Sequence, residues 1–206
     1  MDSITTTATP VAPATKLNLA ERVGASRRIT RTHAGLVVLD IQERLLPAIC
    51  ENARVVQNAV RLLKGAAVLG LPIIVTEQYR KGIGATVPEI AGVIAEFAPL
   101  EKLTFSACGA PGFLEALAAR GLTDLALCGI EAHVCVSQTC LDLLDRGFRC
   151  FVVADAISSR TAANHRLAVE RMRQAGAVIV STEMLLFELL ERAGTDEFKQ
   201  VLALVK

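Results

Sequence analysis

The sequence is poor in aromatic residues and carries no excess of charge of either sign. It has no Trp, one Tyr and only 4% aromatic residues, so a stacking platform for bases or sugars is not expected. Its 22 Lys and Arg residues balance 21 Asp and Glu residues, which leaves a net charge of +1. Proteins that bind nucleic acids or anionic membranes through charge have a basic surplus. Neither is therefore expected as a partner, and no apolar run approaches the roughly 18 residues of a membrane-spanning helix.

The chain also lacks the closely spaced cysteines and histidines that mark many metal and redox sites. There is no CxxC pair and no zinc-finger spacing. The six cysteines stand far apart, at positions 50, 108, 128, 135, 140 and 150. A chain of 206 residues with 52% hydrophobic residues can bury a core without disulfide bonds. Free thiols in a reducing compartment, the cytoplasm, are therefore expected.

The first 33 residues differ in composition from the rest. Residues 1–15 are rich in Thr, Ala and Pro, and residues 16–33 are basic. The apolar segment of a secretory signal is missing, although import into an organelle stays open. We predict an N-terminal tail over residues 1–33 and one domain over residues 34–206.

From residue 34 onward, short apolar runs alternate with amphipathic stretches. The runs are rich in Val, Ile and Leu without strict alternation, which is typical of strands buried on both faces of a parallel sheet. They cover residues 34–39, 72–76, 125–130, 150–154 and 177–180. Helices are predicted over residues 53–69, 112–120, 135–146, 163–175 and 182–192. This order predicts a three-layer, Rossmann-like α/β fold, with a mostly parallel sheet of about six strands flanked by helices.

Two chemically active side chains stand at or near the ends of these runs, where such sheets bind their ligands, and a third lies between two helical regions. Asp40 directly follows the first run and is either a turn residue or a half-buried base. Cys135 begins a predicted helix and is either a small buried hydrophobe or a nucleophile whose pKa the helix dipole lowers. Lys102 lies in a short extended stretch, and beside Asp40 and Cys135 it would stabilise a thiolate.

The surroundings of these residues resemble the isochorismatase-like cysteine hydrolase superfamily, which includes nicotinamidases and carbamoyl-amide hydrolases. GIEAHVCV at residues 129–136 is similar to the nucleophile loop of that family, and LDIQ at residues 39–42 is similar to its acid motif. Lys102, with FSA at residues 105–107, is similar to its lysine motif. Three further stretches look most like the isochorismatase domain-containing subgroup: TEQY at 76–79, ADAISSR at 154–160 and RMRQAG at 171–176.

The resemblance implies a catalytic triad of Asp40, Lys102 and Cys135. Cys135 attacks a carbonyl or carbamoyl carbon, and Asp40 takes the thiol proton and later gives it to the departing amine. Lys102 holds the charges in place, and water hydrolyses a thioester-type acyl-enzyme. The resemblance also implies an oxyanion hole formed by the backbone N–H groups of Glu131 and Cys135, with a cis peptide bond between Ile130 and Glu131.

Four residues are expected to line the substrate pocket, with ordinary loop packing as the alternative: Leu45, Gln78, Tyr79 and His133. Nicotinamidases carry an Asp and two His in the loop after the second strand, whereas residues 76–82 here read TEQYRKG. We therefore predict no tightly bound metal. Neither a Walker A motif nor a complete dinucleotide fingerprint is present, so no nucleotide cofactor is expected either.

Three functions stay open on the sequence. The first is a cysteine-dependent hydrolase of C–N bonds in a small amide or carbamoyl compound. The second is an isochorismatase-type hydrolase of vinyl ethers, which Cys135 disfavours because members with that activity lack the nucleophilic cysteine. The third is a catalytically idle binding or redox-sensing protein. The resemblance further implies a homo-oligomer that acts on a small molecule.

Overall fold

A parallel sheet forms the centre of the computed structural model, which describes residues 27–206. Its six strands are β1 (Ala34–Leu39), β2 (Ile73–Gln78), β3 (Leu100–Lys102), β4 (Asp124–Ile130), β5 (Arg149–Ser158) and β6 (Val178–Val180). They are ordered β3-β2-β1-β4-β5-β6, and every neighbouring pair is parallel. The predicted α/β architecture is confirmed.

Helices cover both faces of this sheet. They are α1 (Asn52–Leu69), α2 (Arg80–Ile83), α3 (Pro88–Ala91), α4 (Phe113–Ala119), α5 (Ser137–Asp145), α6 (Ala162–Gln174), α7 (Thr182–Leu190) and α8 (Asp196–Val205). One hydrophobic core lies between the sheet and α1, α7 and α8, and a second lies between the sheet and α4, α5 and α6. None of the helices in the described residues is long and apolar enough to cross a membrane.

Strand β1 shows why the apolar runs do not alternate with polar residues. Leu36 and Val38 pack into the first core, whereas Val37 and Leu39 pack into the second. Successive side chains of a strand point to opposite faces, so a strand covered on both sides needs apolar residues at every position. All six residues of β1 are buried, and its bounds agree with the predicted ones.

Two strands extend further toward their carboxyl ends than the apolar pattern predicts. β2 reaches Gln78 and β5 reaches Ser158, in place of the predicted ends at residues 76 and 154. The added residues of β2 are polar but buried, and Gln78 still pairs with Lys102 of β3. In β5, Ser158 pairs with Ile130 after a shift in register. The backbone ladder therefore continues where hydrophobicity stops.

The segment before β1 is anchored to the C-terminal helices. Ile29 is fully buried in the first core. Arg31 donates to both carboxylate oxygens of Glu197 in α8, at 3.0 and 2.9 Å, and its Nε donates to the backbone oxygen of Leu189 at 2.7 Å. Residues 27–33 of the predicted tail thus contact the domain, and the rest of the predicted tail lies outside the described residues.

Candidate active site

The carboxyl ends of β1, β3 and β4 bring together the three residues that the sequence predicts as catalytic. Asp40 directly follows β1, Lys102 is the last residue of β3, and Cys135 lies in the turn after β4. These strands are close neighbours in the sheet, since β1 lies beside β4 and only β2 lies between β1 and β3. Lys102 bonds to Asp40, and the Cys135 thiol lies close enough to both side chains for each to shift its pKa.

Asp40 and Lys102 form an ion pair whose side chains are fully buried. Lys102 Nζ donates to Asp40 Oδ2 and to Gln78 Oε1, each at 2.7 Å, and to the backbone oxygen of Phe105 at 3.1 Å. Thr76 Oγ1 donates to the second carboxylate oxygen, Asp40 Oδ1, at 2.7 Å. Buried charges persist when each is paired and hydrogen-bonded, and both partners meet that condition here. The carboxylate is thereby held in one orientation beside the thiol.

The thiol of Cys135 is protonated at neutral pH. Burial raises its pKa to about 12, and the charge of Asp40 acts in the same direction, whereas Lys102 lowers it. The predicted lowering of this pKa by the helix dipole is therefore wrong, because only 3% of Cys135 is exposed and a buried thiolate loses its hydration. A cysteine that is held as a thiol needs a nearby base to become a nucleophile, and the predicted base is Asp40.

The close approach of β1 and β4 at this edge depends on Gly129. Gly129 pairs with Leu39, the residue before Asp40, and has a φ of 136°, which L side chains rarely adopt. A Cβ atom at this position would lie 2.1 Å from the backbone oxygen of Leu39. Only glycine therefore allows the strand that carries Asp40 to lie against the strand that leads to Cys135.

Residues 131–135 form the turn that carries Cys135, and we call it the nucleophile turn after the predicted role of that residue. The helix predicted from Cys135 starts earlier than expected, as a π-helical turn over Ala132–Val136 that continues into α5 at Ser137. Among the described residues there is no cis peptide bond, so the bond between Ile130 and Glu131 is trans and the predicted cis bond is wrong. The chain reverses instead through a left-handed conformation of Glu131, with φ 56° and ψ 55°. The oxyanion hole formed by the N–H groups of Glu131 and Cys135 stays a prediction.

The four predicted pocket residues differ in their surroundings. Gln78 is buried and engaged at both ends of its amide, since its Oε1 accepts from Lys102 and its Nε2 donates to the backbone oxygen of Leu103 at 2.9 Å. Gln78 therefore helps to hold the Lys102 ammonium group in place. Tyr79 is 47% exposed beside the same strand end, and its N–H donates to the backbone oxygen of Lys102. Leu45 packs against the first core, and His133 Nδ1 lies 3.0 Å from Ser159 Oγ.

Two supporting residues escape prediction from the sequence. Thr76, which donates to Asp40, reads as the last residue of an apolar run. Gln42 accepts from the backbone N–H of Gln78 at 2.7 Å and donates to its backbone oxygen at 3.0 Å. Gln42, two positions after Asp40, could have been found from the sequence, because a side-chain amide can both donate and accept and so can take the place of a neighbouring strand's backbone.

The other cysteines lie away from this chemistry. All six cysteines of the chain are unpaired, as free thiols require. Burial raises the pKa of Cys108 to about 11 and that of Cys128 to about 12, so both groups are protonated thiols at neutral pH, as Cys135 is. Within residues 27–206, no group of three or more His, Cys, Asp or Glu side chains is arranged to hold a metal ion.

Comparisons with known proteins identify the family of this chain. The family model for the isochorismatase domain matches residues 34–184. Isochorismatase domain-containing protein 2 from Homo sapiens is 40% identical over 172 residues, which cover 83% of this chain and 82% of that protein. The solved structure of MAR1 ribonuclease from Caenorhabditis elegans is 39% identical with a TM-score of 0.82, covering 86% of this chain and 92% of that one.

The bacterial protein YcaC is a more distant relative with the same fold. Its structure from Pseudomonas aeruginosa, with hexane-2,5-diol and covalent acrylamide, is 26% identical with a TM-score of 0.81, and covers 86% of this chain and 91% of that one. The Escherichia coli YcaC gene product, an octameric hydrolase of unknown specificity, is also 26% identical, with a TM-score of 0.82 and coverage of 88% and 91%. The extent of the family match and the identity to its members lead to one conclusion: this chain belongs to the isochorismatase family of hydrolases.

Proposed function

We propose that this protein is a cysteine-dependent hydrolase that cleaves the C–N bond of a small amide or carbamoyl compound. The observation that carries the proposal is the buried Asp40–Lys102 ion pair at the sheet edge where the buried thiol of Cys135 also lies, near enough for both charges to act on its pKa. That carboxylate is fixed by Lys102 on one oxygen and Thr76 on the other. A thiol beside an oriented base is the arrangement that nucleophilic catalysis by cysteine requires.

The first half of the reaction forms an acyl-enzyme and releases ammonia or an amine. The proton of Cys135 passes to Asp40 as the sulfur attacks the carbonyl carbon, so that an S–C bond forms and the carbonyl oxygen takes the negative charge. Asp40 then gives the proton to the nitrogen, the C–N bond breaks and the amine leaves. A protonated resting thiol suits this order of events, because the proton that leaves sulfur is the one that the departing nitrogen needs.

The second half of the reaction restores the enzyme. Asp40, again a carboxylate, removes a proton from water, and the hydroxide adds to the thioester-type carbon. The C–S bond breaks, the proton returns to Cys135, and the product leaves as a carboxylic or carbamic acid. One carboxyl group therefore acts as base and then as acid in each half.

Lys102 holds Asp40 in place while the carboxyl group exchanges a proton with sulfur and nitrogen. Its ammonium also lowers the pKa of Cys135, which favours formation of the attacking thiolate. The backbone N–H groups of Glu131 and Cys135 are the proposed donors to the oxyanion. A fixed donor of this kind typically lowers the activation free energy by about 3–4 kcal/mol.

The distant relative YcaC supports a nucleophilic side chain that a small molecule can reach. Its structure holds covalent acrylamide, and thiols add to the terminal alkene carbon of acrylamide, which leaves its amide bond intact. The octameric YcaC gene product likewise supports a homo-oligomer in this chain.

The decisive experiment measures ammonia release from a panel of small amides and carbamoyl compounds. We expect turnover by the wild-type protein and none by Cys135→Ala or Asp40→Asn. Cys108→Ala is the matched control, because it removes another partly buried thiol outside the ion pair. Equal ammonia release by Cys135→Ala and the wild type would disprove the proposal.

The same variants separate the alternative functions. Pyruvate release from isochorismate that persists in Cys135→Ala would identify a vinyl-ether hydrolase. RNA cleavage is measured in parallel, because the relative from Caenorhabditis elegans is named a ribonuclease. The absence of turnover in every arm would favour a binding protein.

A further inference from the structure

A second charged cluster lies on the opposite side of the nucleophile turn from the Asp40–Lys102 pair. Glu131, the first residue after β4, pairs with Arg160 in the loop after β5, with 3.1 Å between Glu131 Oε1 and Arg160 Nε. In the sheet, β1 and β3 lie on one side of β4, and β5 lies on the other. The Asp40–Lys102 pair therefore lies at the ends of β1 and β3, and the Glu131–Arg160 pair joins the end of β4 to the loop after β5.

One oxygen of the Glu131 carboxylate has no hydrogen-bond donor in the described part of the chain. Oε2 is buried, and only 8% of the residue is exposed. The nearest ring nitrogen, His133 Nδ1, is 3.5 Å away and lies closer to Ser159 Oγ, at 3.0 Å. An ionised carboxylate only accepts hydrogen bonds, and at 3.5 Å the His133 ring nitrogen is beyond normal hydrogen-bond distance. Buried polar atoms without a hydrogen-bond partner are uncommon, so this oxygen is a candidate acceptor for an incoming group.

The backbone of Glu131 is also in an unusual conformation. Its φ of 56° is uncommon for a residue other than glycine, asparagine or aspartate. Conformations of this kind cluster at sites that bind or react. The carboxylate is held at the start of the nucleophile turn by this conformation and by the ion pair with Arg160.

We infer that Glu131 Oε2 accepts a hydrogen bond from a substrate N–H group, which makes Glu131 a specificity-determining residue. This inference rests on the proposed hydrolase function. A planar carbonyl carbon carries an oxygen, a leaving nitrogen and a third substituent. The leaving nitrogen must approach Asp40, since it receives the proton from that carboxyl group. The third substituent then points away from Asp40, toward the side of Glu131.

The chemistry of that third substituent distinguishes two classes of substrate. A carbamoyl compound, R–NH–CO–NH2, places an N–H group there, whereas a simple amide places a CH2 group. A buried acceptor favours the compound that supplies the donor, because the other compound leaves the carboxylate oxygen unsatisfied. Glu131 therefore selects carbamoyl compounds over simple amides.

The test compares N-propylurea with pentanamide, which differ only by N–H in place of CH2 at this position. We expect Glu131→Gln to lower the ratio of kcat/KM for N-propylurea over pentanamide by about tenfold or more, mainly through KM. Glu197→Gln, at an exposed ion pair with Arg31, is the matched control and should leave the ratio unchanged. An equal loss of activity toward both compounds in Glu131→Gln would show that the carboxylate only supports the fold of the turn, and would overturn the inference.

A binding measurement separates this inference from the proposed function. If neither compound is hydrolysed, the proposed activity fails for both, and their protection of Cys135 against iodoacetamide is measured instead. N-propylurea should protect at a lower concentration than pentanamide in the wild type, and this difference should disappear in Glu131→Gln. Equal protection, no protection by either compound, or a difference that persists in the variant would each overturn the inference.

Discussion

Replacing Lys102 with Met tests the buried ion pair on which the proposed site depends. The change keeps an unbranched side chain of similar length and removes the ammonium group. Asp40 then keeps only Thr76 as a donor, and Gln78 Oε1 loses the donor that lay 2.7 Å away. Removing one partner of a buried pair leaves an uncompensated charge, which typically costs about 3–5 kcal/mol. We expect a loss of unfolding free energy of this size.

A double-mutant cycle makes the prediction specific to the pair. Asp40→Asn should also destabilise, because it leaves the Lys102 ammonium buried. The double variant removes both charges, so its cost should be smaller than the sum of the single costs, with a coupling energy of about 2 kcal/mol or more. Urea unfolding followed by circular dichroism measures all four proteins.

An exposed ion pair provides the control for this cycle. Lys199 and Asp196 lie 2.9 Å apart with side chains 72% and 89% exposed. Lys199→Met should change the unfolding free energy by less than about 0.5 kcal/mol, since solvent screens such pairs. The reasoning is refuted if Lys102→Met costs less than about 1 kcal/mol, or if the two site variants are additive.

Three further predictions concern the site and its thiols. Gly129→Ala should lower the unfolding free energy by about 3 kcal/mol or more in a urea titration and abolish turnover, because the new Cβ would clash with the backbone of Leu39. The control is Gly176→Ala, at φ 106° with nothing within 4 Å, and its loss should be about 2 kcal/mol smaller. The alkylation rate of Cys135 should rise with pH from 6 to 10 without levelling off, because its pKa is about 12, and Asp40→Asn should lower this pKa; a plateau near pH 8 in the wild type would contradict the burial argument. Above pH 9 the unfolding free energy should fall less steeply with pH in Cys128→Ala than in the wild type. The difference in slope should be about 1.4 kcal/mol per pH unit or less, as measured by unfolding at several pH values. The sign follows from a pKa raised to about 12 in the folded chain: this thiol's contribution is complete below pH 9 and is lost as the pH rises toward 12.

The fold and the meeting of Asp40, Lys102 and Cys135 could be predicted from the sequence for a physical reason. Strands covered on both faces need continuous apolar runs, and the ends of neighbouring parallel strands must meet at one edge. The bounds of β1 follow from the first fact, and the second brings Asp40 and Cys135 to one edge. The place of Lys102 beside them is implied only by the family resemblance, because the three-residue β3 does not stand out as an apolar run.

The features that could not be predicted depend on contacts distant along the chain. The pKa of Cys135 depends on how many atoms exclude water from it, which a position at a helix start does not reveal. The clash that reserves position 129 for glycine involves the backbone of β1, and a lone glycine in a strand does not identify its neighbour. The second role of Gln78, as an acceptor for Lys102, likewise appears only once β2 and β3 are paired.

The protonated state of Cys135 also determines how the protein withstands oxidants. Peroxides react with thiolates, and the products beyond sulfenic acid are irreversible for most cysteines. With a pKa of about 12, the sulfur is almost entirely a thiol at neutral pH and is a poor target for them. In the proposed reaction, the thiol loses its proton to Asp40 as the sulfur attacks a bound carbonyl carbon. The burial that keeps the resting sulfur protonated would then also protect it from oxidation between turnovers.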